Sequence, residues 1–125
     1  MNDHRNWAIW AADCAERILR LYEERGGADA GPRKAIEAAR KWAAGTMTMA
    51  DARAAAFAAH ASARRAETTA AAAAARSAGH AAATAHVKSH APHAAAYALK
   101  ALALSGGAVQ PEQEWQMRNA PGPLK

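Results

Sequence analysis

Four histidines stand within fifteen residues, GHAAATAHVKSHAPH at positions 79–93, in a stretch that is otherwise alanine-rich. Imidazole ligates metals, relays protons and changes charge near neutral pH, so such a cluster can do chemistry. His86 and His90 are four apart, as in a chelating pair on one helical face, and His93 lies three further on as a third ligand. The same stretch offers no carboxylate for a Glu-x-x-His di-metal site, no cysteine and no HExxH pattern. Inward histidines of a helical bundle more often bond to carbonyl groups, tyrosine hydroxyls or acids from another helix. Asp13 and Glu16 on the first helix are the natural partners. The expected site is therefore a binding or structural seam of His86, His90, His93 and Tyr97 with Asp13, with no metal and no cofactor. A His-lined metal- or ligand-binding bundle, with enzymatic activity as a further step, is the alternative.

Other chemistry is weakly represented. Cys14 lies mid-helix on an apolar stripe, where a buried inert thiol is expected rather than a nucleophile. Ser62, Ser77, Ser89 and Ser105 sit in no nucleophile elbow, and the Gly-Gly pairs at 26–27 and 106–107 are helix stops rather than phosphate loops. The chain is therefore read as a non-enzyme. A net charge of +5 and a pI near 9.9 suggest a polyanion partner, but Arg and Lys are scattered along the chain, so nucleic acid is not the expected one. No acid occurs between Thr68 and Pro111, whereas the first helices and the tail carry many. This acid-free segment either pairs with the acidic first helix, the plainer reading, or meets an acidic partner.

The elements that position these residues follow from composition. Of 125 residues, 41 are alanine and only 22 are Val, Ile, Leu, Met, Phe, Trp or Tyr. Alanine favours helix and disfavours strand, so the chain reads as one all-α domain over residues 1–125, with a loose tail at 119–125. Alanine buries little area, so the four tryptophans with Tyr22, Phe57 and Tyr97 are expected to carry much of the burial. Trp7, Trp10, Ala11, Cys14, Ile18, Leu21 and Tyr22 mark a first helix over 5–25, with Asp13 and Arg17 as a surface ion pair. Pro32 opens a second helix ending at Gly45. Thr48 caps a third to about Arg65, and the ETT at 67–69 a fourth that reaches Lys88. Ser89, with Pro92 in the first turn, starts a fifth that reaches Leu104, and a short helix follows Pro111. The expected fold is a small bundle of about five main helices plus a short C-terminal one.

Carrying one register through the fourth and fifth helices aligns Gly79, Ala83, His86, His90, His93, Tyr97, Ala101 and Leu104 on a single seam. His80 then falls off the seam, at an edge, and the fifth helix becomes the central one. No run of about 20 apolar residues is present, so no membrane span is expected. The lone cysteine and the early Asp3 fit a cytoplasmic protein.

The segments WAIWAADCAERIL (7–19), ARAAAFAAHASARRA (52–66), AARSAGHAAATAHVKSHAPHAAAYALKA (74–101) and EWQMRNAP (114–121) resemble the bacterial "immunity protein five-like" family. The resemblance runs through nearly the whole chain in order, and its most specific piece is the string of Ala-Gly-His, Ala-Thr-Ala-His and Ala-Tyr-Ala-Leu-Lys. Pro92 departs from the pattern where a residue kinder to helix is expected. The resemblance implies a non-catalytic cytoplasmic protein that binds and neutralises a bacterial toxin by steric occlusion, with homo-oligomerisation left open. It carries no residue-level toxin-binding motif. Inhibitors of basic nuclease toxins are usually acidic, so a chain of +5 points to a toxin of another kind or to some other role.

Overall fold

The computed structural model describes residues 3–123. Among them the chain forms seven helices and no strand: α1 (Asp3–Arg17), α2 (Arg20–Glu23), α3 (Gly31–Ala43), α4 (Met49–Arg65), α5 (Thr69–Ala83), α6 (His90–Ser105) and α7 (Val109–Asn119). The fold is all-α. No described helix is long and apolar enough to cross a membrane.

The first apolar stripe is one helix in sequence and two in space. Ile18, Leu19, Leu21 and Tyr22 are all buried, although on a straight helix they would span an arc of roughly 160°. The backbone tightens between α1 and α2, where the Ile18 and Leu19 amides reach back only three residues, to Ala15 and Glu16. That turn brings all four side chains inward.

Caps set most of the other boundaries. Thr48 Oγ1 accepts from the Asp51 amide at 3.1 Å, and Thr68 Oγ1 accepts from the Ala71 amide at 3.0 Å. These satisfy helical donors that have no backbone partner. Gly45 and Gly106 end α3 and α6 in the left-handed region, with φ of 83° and 82°. The following Thr46 and Gly107 amides then close onto Lys41 and Leu102 carbonyls. Ser89 precedes α6 but makes no side-chain cap bond.

The central element is α5, not the fifth helix of the sequence reading. It packs against α1, α2, α3, α4 and α6, and buries Ala71, Ala73, Ala74, Ala75, Ser77, Ala78, Gly79, Ala81 and Ala82. A helix of small residues can be approached closely from every side, which suits it to the middle of the bundle. Ser77 Oγ, fully buried, donates to the Ala94 carbonyl at 2.7 Å and pins α5 to α6.

Larger side chains fill the layer around α5. Trp7, Trp10, Ile18, Leu19, Leu21, Tyr22 and Ile36 are buried, while Trp42 and Tyr97 are only half-buried. Phe57 departs from expectation at 60 % exposed. α4 turns Ala52, Ala56, Ala59, Ser62 and Ala63 inward, which leaves Phe57 on the outer face with Arg53 over its ring. At the tail, Trp10 Nε1 donates to the Gln116 carbonyl, and Gln116 Nε2 donates to the Ala95 carbonyl, both at 3.0 Å. α7 is thereby tied to α1 and α6. Residues 120–123 follow it without regular structure, and positions 124–125 of the expected loose tail lie outside the described residues.

Candidate functional site

The chain turns between α5 and α6. Thr84 is fully buried and its hydroxyl donates to the His80 carbonyl at 2.9 Å, while its own carbonyl accepts from His4 Nε2 on α1. Three-residue backbone bonds at Ala85 and His86 complete the turn, and α6 restarts at His90. A single register through Pro92 is therefore not formed, because α5 and α6 are a hairpin of adjacent helices. Pro92 sits in the first turn of α6, where its missing N–H costs no helical bond.

This hairpin redistributes the histidines. His86, expected on the seam, is exposed in the turn. His90, His93, Tyr97 and Leu104 do share one face of α6, at spacings of three and four, as the sequence reading has it. Opposite them stands His80, the residue placed at an edge, and it is the hub of the cluster. Its ring lies 5.1 Å from His90, 5.4 Å from His93, 5.3 Å from Tyr97 and 5.0 Å from His60 on α4. It is stacked parallel to Tyr97, at 11°, and its Nδ1 meets Nδ1 of His90 at 2.9 Å. One of these nitrogens carries the proton and the other accepts it.

His60 went unnoticed in the sequence because it stands alone on α4. A signal was present in Gly79: a Cβ there would lie 2.7 Å from the His60 ring, so glycine leaves room for that imidazole. His60 Nδ1 is buried without a hydrogen-bond partner among the described residues.

No acid enters the cluster. Asp13 accepts from Arg40 at 2.8 Å, and Glu16 accepts from the same guanidinium at 2.6 Å. The expected Asp13–Arg17 pair is replaced, since Arg17 makes a two-pronged contact with Glu112 and covers the Trp115 ring at 3.9 Å. Among the described residues, the one ion pair from the acid-free segment to the first helix is Lys88 with Asp3, at 2.9 Å. Burial therefore pushes the His80 pKa from 6.5 down to about 4, with His60, His90, His93 and Arg76 adding repulsion. Burial also lowers His60, with Arg76, His90 and Arg64 acting in the same sense. His90 is lowered by burial and then by His93 and His86. His80, His60 and His90 are all biased toward the neutral form.

Beside it, Thr69, Ala72, Ala73 and Arg76 of α5 and Tyr97, Lys100 and Leu104 of α6 line a groove of about 290 Å³. Cys14, Ser62 and Ser105 lie elsewhere and are engaged. Cys14 is fully buried, its thiol pushed far up by burial and by nearby Asp13 and Glu112. Ser62 donates to Asp29 and Ser105 to the Leu102 carbonyl. Among the described residues, no group of three or more His, Cys, Asp or Glu side chains is arranged to hold a metal ion.

Comparison with known proteins places the chain by sequence alone. No curated protein and no solved structure matches it. One family description does, "Imm-5 like putative immunity protein", across residues 1–122, and the protein belongs to that family.

Proposed function

We propose that the protein is a non-catalytic binder that neutralises a protein toxin inside the producing cell by covering the toxin's working surface with a helix face. Family membership over residues 1–122 is the observation that carries this reading. The interior supports it: Cys14 and Ser77 are fully buried. The test is protection. Co-expression with a candidate toxin taken from the neighbourhood of its gene should restore growth, and the two proteins should co-purify in a fixed ratio. Unrestored growth, with both proteins soluble, refutes it.

The histidine cluster favours one second reading, a metal- or ligand-binding bundle. Elemental analysis after purification without added metal separates the two. The binder reading expects well under one ion per chain, and about one ion per chain lost in His80→Ala supports the alternative.

A further inference from the structure

We infer that the face formed by α5 and α6 receives a carboxylate-rich surface of the partner protein. This rests on the toxin-binding reading and names the chemistry of the surface that is bound.

Charge distribution carries the inference. Acids are interspersed with the cations of most other elements, and among the described residues six ion pairs form. Arg17 pairs with Glu112, Arg33 with Glu23, Arg40 with Asp13 and Glu16, Arg65 with Asp29, and Lys88 with Asp3. The remaining acids are interspersed with other cations in sequence: Glu24 beside Arg25, Glu37 between Lys34 and Lys41, Asp51 near Arg53, Glu67 near Arg64, Glu114 near Arg118. The α5–α6 face has none, because the sequence holds no acid from Thr68 to Pro111. Arg76 and Lys100 line its groove, and neither makes an ion pair within the described residues. A field of one sign over a concave surface attracts the opposite charge and fixes its register.

The histidines extend this face toward the turn. The groups around them are His60 and Arg64 from α4, Arg76 from α5, His86 from the turn, and His90, His93 and Tyr97 from α6. None is an acid. An arriving carboxylate supplies the missing counter-charge, so binding favours protons on His60, His80 and His90, which burial in the free protein biases toward the neutral form. Association therefore tightens as pH falls. Leu104, 48 % exposed, gives the groove an apolar end. Nucleic acid is the less suitable occupant. Only two fixed cations line the groove, and the Tyr97 ring is stacked on His80 instead of standing free for a base.

A peptide of ten glutamates is the probe, titrated calorimetrically at low salt at pH 6.0 and 8.0. We expect binding that is tighter at pH 6.0 and falls about tenfold in the Arg76→Glu/Lys100→Glu variant. Lys34→Glu/Lys41→Glu on α3 makes the same change in net charge at exposed positions and should cost less than about threefold. Thermal melts verify folding, and Lys100→Glu alone, at an exposed position, serves if the double variant does not fold. No binding, equal losses in the two variants, or an affinity unchanged between the two pH values would overturn the inference. So would a DNA duplex that binds more tightly than the peptide and is lost in the same variant. Each of these outcomes leaves the protection assay with the toxin unaffected, so the two readings fail separately.

Discussion

Acidification from pH 7.5 to 5.0 should destabilise the protein through His80. Folding lowers its pKa from 6.5 to about 4, so between these values the unfolded chain binds a proton that the native state refuses. Stability is then fully present above about 6.5 and is lost as pH falls toward 4. At 1.36 kcal/mol per unit the full shift corresponds to about 3 kcal/mol, and solvent at this half-buried ring reduces it to about 1–2 kcal/mol. By pH 5.0 roughly 1 kcal/mol is lost from His80, or about 3–5 °C in Tm for a domain of this size. His60 and His90, also lowered by burial, act in the same direction. The geometry agrees: one proton between His80 and His90 Nδ1 makes a bond, whereas two place donor against donor across the hairpin. Glu16 and Asp29, both held below their ordinary carboxylate values, stay ionised throughout this window. The assay is thermal melting of wild type and His80→Gln at pH 7.5, 6.0 and 5.0. Wild type should lose stability steadily, and the variant should lose clearly less. A wild type that gains stability in acid, or a variant with the same slope, would refute the reasoning.

Two further outcomes follow from buried contacts. Gln116→Ala removes the amide that serves the Ala95 carbonyl from a side that is only 2 % exposed, which should cost about 1–3 kcal/mol. Limited proteolysis should then cut within α7 sooner than in wild type, and unchanged cleavage would show that the helix is held by other contacts. Asp29 accepts from Ser62, Arg65 and the Gly31 amide, which together hold its carboxyl well below the usual range. Asp29→Ala should lower stability by about 1 kcal/mol near neutral pH. Because a depressed carboxylate stabilises fully above its unfolded value and loses that contribution as pH falls toward its folded one, the gap should narrow in strong acid. Denaturant titrations at pH 7 and 3 test both statements.

Local signals were the legible part of this chain. Alanine content and the lack of β-branched residues determine an all-α fold whatever the packing, since propensity acts residue by residue. Thr48, Thr68, Gly45 and Gly106 mark helix ends because a cap or a left-handed turn involves only neighbours a few positions away. The spacing of His90, His93 and Tyr97 on one face of α6 was readable for the same reason. What tertiary structure decided was whether α5 and α6 continue or fold back. That depends on Thr84, whose carbonyl finds its partner in His4, 80 positions away. The reversal moves His86 out to solvent, makes His80 the hub, and brings in His60 from α4, where it had no neighbour in sequence. Charge pairing was likewise a three-dimensional matter. Asp13 faces Arg40 rather than Arg17 because α1 packs against α3, and an ion pair forms with the cation that packing brings near, not with the one four residues along.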